Sequence, residues 1–159
     1  IANSSLNSIK DAISQVAISL AKQIAGDGEG AEHLLEVRVL GVSSERAARS
    51  VLRGILTSSL VKTAVHGRDP NWGRILMAAG NSLLMENLPD NHPISISIQS
   101  VPVFNKGEPV PFHKTSLSQK MGEFEVLIEV NFHDGENSIT GWGCDFSEKY
   151  VAINAEYST

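Results

Sequence analysis

Two short segments of this 159-residue chain concentrate side chains that could do chemistry. In His66-Gly67-Arg68-Asp69-Pro70-Asn71-Trp72-Gly73-Arg74, two guanidinium groups, a carboxylate, an indole and a rigid proline fall within nine positions. Arg68 and Arg74 could clamp a carboxylate or phosphate through paired N–H groups, with Trp72 as a pocket wall. The same residues also suit an internal ion pair from Asp69 to an arginine that shapes a turn, and chemistry alone leaves both readings open. The other segment is Gly26-Asp27-Gly28-Glu29-Gly30-Ala31. It has the glycine content of a phosphate cradle, but it follows a helical pattern, precedes a strand and lacks the Lys-Ser/Thr pair that such a loop uses. What it offers is the carboxylate of Glu29 between two glycines, where backbone can approach a ligand while the side chain accepts from an ammonium or guanidinium. A plain turn is the alternative.

Other reactive residue types are sparse. His33, His66, His92, His113 and His133 stand at no metal-ligand spacing, and the single cysteine, Cys144, has no partner for a zinc site, so no metal is expected. Cys144 between Gly143 and Asp145 could be a nucleophile with a histidine as base, but a small buried thiol is the commoner state of such a residue. There is no Gly-x-Ser-x-Gly elbow. Residue chemistry therefore leaves the reaction open.

The elements that must position these residues can be read from periodicity. Leu6, Ile9, Ile13, Val16, Leu20 and Ile24 recur every three or four positions, so a helix is expected over 5–24, stopped by the glycine loop. Leu35, Val37 and Val39 alternate with Glu36 and Arg38 and predict a strand. Ser43 or Ser44 can cap a helix carrying Ala47, Ala48, Val51, Leu52 and Ile55, followed by a shorter helix over 59–65. Pro70 suits a helix start, and the helix it opens is expected to end at a Gly80-Asn81 cap. Strands are expected at 94–98 and 101–103, with a turn at 105–108, then a short helix over 116–121, a strand over 124–132, a returning strand over 139–146 and a closing helix to Tyr157. Helices mixed with antiparallel strands, without strict βαβ alternation, indicate an α+β fold with helices on the outer faces of its sheet.

The bulk numbers agree. A chain of this length, 42% hydrophobic and 19% charged, fits a single domain over 1–159. A formal charge of −5 with no Lys/Arg run argues against nucleic acid or an anionic membrane as the main partner, leaving small molecules and other proteins. No apolar stretch approaches the roughly 20 residues of a membrane span, and one cysteine gives no sign of an oxidising compartment. The start on Ile1, without an initiator methionine, suggests a processed or truncated chain.

Three segments together resemble the ornithine acetyltransferase (glutamate N-acetyltransferase) family of arginine biosynthesis. They are Asp27-Gly28-Glu29-Gly30-Ala31, Gly67 through Ile75, and Trp142-Gly143-Cys144-Asp145 with the final stretch from Tyr150 to Thr159. The resemblance spans nearly the whole chain in order and spacing. It implies a precursor that cuts itself before a threonine, whose β chain uses that new N-terminal threonine as nucleophile and its α-amine as base. The Ala-Thr-Met-Leu-like cleavage motif is absent here, and none of Thr57, Thr63, Thr115, Thr140 or Thr159 sits in such a motif, so the resemblance places no catalytic residue on this chain. The implied reaction is a two-step exchange. The threonine takes acetyl from N-acetylornithine, ornithine leaves, and glutamate collects the acetyl group. No cofactor is implied; acetyl-CoA as a second donor stays open. Partners implied are an α chain from the same precursor, which carries the oxyanion donors, and a dimer of αβ pairs, in the cytoplasm or an organelle matrix.

By the same resemblance Glu29, Asn154 and Thr159 bind substrate, Glu29 receiving an amino group and Asn154 donating to carboxylate or amide oxygens. Arg68, Asp69, Asn71, Trp72 and Arg74 are assigned to shaping the site or subunit contacts. The implied fold is a layered αββα sandwich shared with self-processing aminopeptidases of the DmpA type. One departure, Glu32-His33-Leu34 where many relatives carry Thr-Lys-Phe-like residues, bears on fine specificity. The rival readings are a self-cleaving amide hydrolase, against which the terminal motif argues, and a non-catalytic ligand-binding domain.

Overall fold

The computed structural model describes residues 2–85 and 93–156. In chain order the elements are α1 (Ala2–Gly26), β1 (Leu34–Val42), α2 (Glu45–Thr57), α3 (Ser59–His66), α4 (Trp72–Met85), β2 (Ser95–Ile98), β3 (Val101–Asn105), β4 (Glu108–Pro109), α5 (Lys114–Lys120), β5 (Glu125–Asn131), β6 (Asn137–Cys144) and α6 (Glu148–Glu156). The expected α+β class holds. The strands form one six-stranded mixed sheet in the order β4-β3-β2-β5-β1-β6, with β1 and β5 parallel and the other pairs antiparallel.

The register explains the core. Leu35, Val37 and Val39 of β1 lie opposite Val126, Ile128 and Val130 of β5, and all six are buried. The alternation read in both strands therefore places one apolar face, which α2, α3 and α4 cover through Ala48, Val51, Ile55, Val61 and Ala79. Ser44 and Ser58 cap α2 and α3, accepting from Ala47 N at 3.2 Å and Val61 N at 3.3 Å.

The opposite face is polar. Glu36, nearly buried, accepts from Trp142 Nε1 at 2.8 Å and Arg38 Nη2 at 2.7 Å, and pairs with Lys22 at 2.9 Å. Burial alone would raise its pKa, but these three donors outweigh burial and hold it at about 2. Among the described residues there is a single sheet, with α2, α3 and α4 on its apolar face and α1 reaching its polar face through Lys22; the second sheet of an αββα layering is not among them.

Three details depart from the periodicity. α4 does not stop at Gly80; it runs on to Met85 because Ala78, Ala79, Ser82 and Leu83 still pack on α2. That contact is close enough for a Cβ at Gly54 to overlap Ser82 Oγ. The β2–β3 turn is built from Gln99 (φ 48°) and Ser100 (φ 61°), residue types that do not announce a left-handed turn. Tertiary bonds hold it: Gln99 donates to the carbonyls of Lys120 and Glu125 at 3.0 Å each and accepts from Leu127 N at 3.0 Å. Finally, the apolar stripe of α1 faces outward, with Ile13 64% and Ile24 76% exposed. No described helix is long and apolar enough to cross a membrane.

Candidate functional site

The glycine loop is built into place by what lies under it. α1 ends on a bond from Asp27 N to Gln23 O at 2.9 Å, and Ala31 N closes a turn on Gly28 O at 2.9 Å. A side chain at Gly28 would meet Cys144 Sγ at 2.6 Å, so the loop can cross the end of β6 only as glycine. Gly30 is constrained twice, by φ +69° and by the Tyr150 backbone nitrogen 2.6 Å from any added Cβ. Ser147 locks this crossing: its hydroxyl donates to Gly30 O at 2.6 Å and accepts from Tyr150 N at 3.2 Å at the start of α6.

The crossing brings Glu29 and Asn154 together from 125 residues apart. Asn154 Nδ2 donates to Glu29 Oε2 at 2.7 Å and to Tyr150 O at 2.9 Å. Through this pair of bonds Asn154 links the Glu29 carboxylate to the backbone of α6. Thr159, the third expected contact, lies outside the described residues.

Glu29 lines a cavity of about 230 Å³ with Lys62, Cys144, Phe146 and Tyr150. Phe146 and Tyr150 meet edge to face, with centroids 4.9 Å apart. Lys62 Nζ lies 3.9 Å from Cys144 Sγ. A larger groove of about 630 Å³ runs between α1 and Phe124, but Glu29 does not line it, so the smaller cavity, where Glu29 and Asp145 stand with Lys62, is the candidate site.

Asp145, which also lines this cavity, centres a cluster that spacing had hidden. Asp145, buried, accepts from the backbone N–H of Glu32 at 2.9 Å and of His33 at 3.1 Å through one oxygen. Its other oxygen lies 3.1 Å from His33 Nδ1 and 3.0 Å from His66 Nδ1. Burial alone would raise its pKa, yet these bonds more than compensate and hold the carboxyl below its ordinary range. His33 and His66 are 33 positions apart, and no local motif announces that a third residue in Trp-Gly-Cys-Asp will join them. Three ligand-type atoms within 4.8 Å could suggest a metal. Both ring nitrogens lie at hydrogen-bond distance from one carboxylate oxygen, an arrangement that accounts for the cluster without an ion.

The His66–Arg74 segment turns inward on the fold. Arg74 Nη1 donates to Leu60 O at 2.9 Å and Thr63 Oγ1 at 3.2 Å, tying α4 to α3. Asn71 caps α4 by accepting from Arg74 N at 3.2 Å and donates to Asp69 at 3.0 Å. The ion pair weighed for Asp69 forms with Lys114 at 3.4 Å instead of an arginine. Trp72 stacks on Phe104 at 4.8 Å, and Arg68, at φ 52°, packs over Gly122. Neither guanidinium lines the cavity. The segment meets the site through His66, which bonds to Asp145.

Comparison with known proteins bears on this arrangement. The family model described as the ArgJ family matches residues 2–159. The chain is similar to the arginine biosynthesis bifunctional protein ArgJ of Bacillus cereus, 45% identical over 148 residues, which are 93% of this chain and 36% of the relative. The protein of the same name from Deinococcus radiodurans is 45% identical over 93% of this chain and 37% of its own length. A crystal structure of ArgJ from Bacillus halodurans superposes with a TM-score of 0.88 at 38% identity, covering 95% of this chain and 70% of that one. The chain thus spans little more than a third of the full-length relatives it matches.

Proposed function

The chain belongs to the ArgJ family, and we propose that it is the greater part of a β chain whose complete, self-cleaved protein transfers acetyl from N-acetylornithine to glutamate through an acetylated N-terminal threonine. Residues 1–159 act in this reading as one domain that supplies substrate contacts, while the nucleophile and the oxyanion donors come from the rest of the precursor. The open polar face of the sheet is where the second sheet of an αββα stack would rest. The coverage figures support a divided protein. The chain fills 70% of the solved Bacillus halodurans chain but 36% of a full-length relative, so that solved chain is about half a relative's length.

The observation that carries the reading is the Glu29–Asn154 bond of 2.7 Å at the edge of a charged cavity. A carboxylate fixed by an amide is a prepared acceptor for the ammonium that ends the ornithine side chain, and preorganisation of this kind lowers the ordering needed on binding. Arg68, Asp69, Asn71, Trp72 and Arg74 act behind the site, by fixing α3 and α4. A dimer of αβ pairs in the cytoplasm completes the proposal, with acetyl-CoA as a second donor to be tested in the same assay.

The test is acetyl transfer by the complete coexpressed protein, with intact mass measured for both chains. Transfer with a β chain beginning at threonine is expected; cleavage without transfer would favour an amide hydrolase, and neither activity a binding domain. Glu29→Gln should lower transfer from N-acetylornithine about 10- to 100-fold, the span of one lost charge-assisted hydrogen bond, and leave self-cleavage intact. Unchanged transfer kinetics would remove that role from Glu29.

A further inference from the structure

We propose that Lys62 receives the side-chain carboxylate of the acceptor amino acid, so that the cavity it shares with Glu29 serves both half-reactions; this rests on the acetyl exchange proposed above. The two amino acids that must leave and enter differ at the far end of the side chain, ammonium in ornithine and carboxylate in glutamate. Glu29, with Asp145 on the same cavity held by His33 and His66, would attract the first and repel the second. A wall that also carries an ammonium resolves the conflict.

Lys62 has the placement for this. It sits half-buried on α3 and lines the same cavity of about 230 Å³ as Glu29. Its backbone is held at both ends, the N–H bonded to Ser58 O at 2.9 Å and the carbonyl accepting from Phe146 N at 3.3 Å, which ties it to the segment leading into α6 and Asn154. Among the described residues its ammonium has no carboxylate within 4.0 Å, and its neighbour is the weak acceptor Cys144 Sγ at 3.9 Å. Lys22, the other half-buried lysine of the sheet region, shows the contrast, with Glu36 at 2.9 Å and Glu125 at 3.1 Å. A partly desolvated ammonium facing a cavity without its own counter-ion is satisfied by an anionic ligand.

Label exchange separates the two halves. The complete two-chain protein should exchange label between N-acetylornithine and ornithine without glutamate, and between N-acetylglutamate and glutamate without ornithine. Lys62→Met is expected to raise KM for glutamate about 10- to 100-fold in the second exchange, as for one lost charge-assisted bond, with ornithine exchange changed by less than about 3-fold. Lys62→Arg should recover most of the glutamate exchange. Unchanged glutamate exchange overturns the assignment, and so does equal loss in both, because Lys62 would then serve a feature common to both substrates. If Lys62→Met and Lys62→Gln both fail to yield two-chain protein, the residue is structural and the assignment also falls. A wild-type protein without either exchange sinks the acetyl-transfer reading itself, an outcome distinct from all of these.

Discussion

The glycine loop and the His66–Arg74 segment are equally conspicuous in the sequence, and the fold uses them in opposite ways. The loop spends its glycines on close approach, crossing Cys144 and the Tyr150 backbone so that Glu29 ends exposed at a cavity. The second segment commits its charges to neighbouring protein groups, on the Leu60 carbonyl, on Asn71 and on Lys114. Density of unusual residues marks a position under constraint. It does not say whether the side chains will border a cavity or join two helices, and the tertiary structure decides that.

Breaking Asp145, which ties His66 to the residues that follow the glycine loop, should have the largest effect. Asp145→Ala leaves two backbone N–H groups and two histidines without their acceptor, and should cost about 3–5 kcal/mol in urea unfolding. Asp145→Asn tests the charge: because the carboxyl is held below its ordinary value, its contribution is present above that range and lost as pH falls through the folded pKa. The acid limb of the stability curve should therefore be shallower in this variant. Glu36, remote from both segments, is the control. With its pKa lowered from 4.5 to about 2, it contributes about 3 kcal/mol at neutral pH, lost as pH falls from about 4.5 to 2 in wild type and Asp145 variants alike.

Trp72→Ala removes the stack on Phe104 and should lower stability by about 3 kcal/mol. If the segment is structural, KM for both amino acids stays unchanged in the folded fraction; a selective KM effect would move Trp72 into the site. The smallest effect sharpens the other side of the comparison. Gly28→Ala forces a Cβ onto Cys144 Sγ and should cost about 1–3 kcal/mol, and adding Cys144→Ala should recover much of that. No recovery would mean that the loop's glycines answer to backbone conformation alone.

Local patterns determined a great deal. Alternation in β1 and β5 fixed which face of each strand is apolar, helical spacing fixed α2, and the glycines marked the end of α1, because these signals depend only on near neighbours in the chain. The resemblance of three motifs identified the family and picked out Glu29 and Asn154. Only the tertiary structure decided what depends on distant segments meeting. It carried α4 past Gly80 onto α2, and it held Gln99 and Ser100 in a left-handed turn through bonds to Lys120, Glu125 and Leu127. It left the α1 stripe outward, gathered His33 and His66 on Asp145, and brought Lys62 and Glu29 to one cavity. The physical reason is common to all of these: a side chain's partner is chosen by packing of elements far apart in sequence, and no local period records that choice.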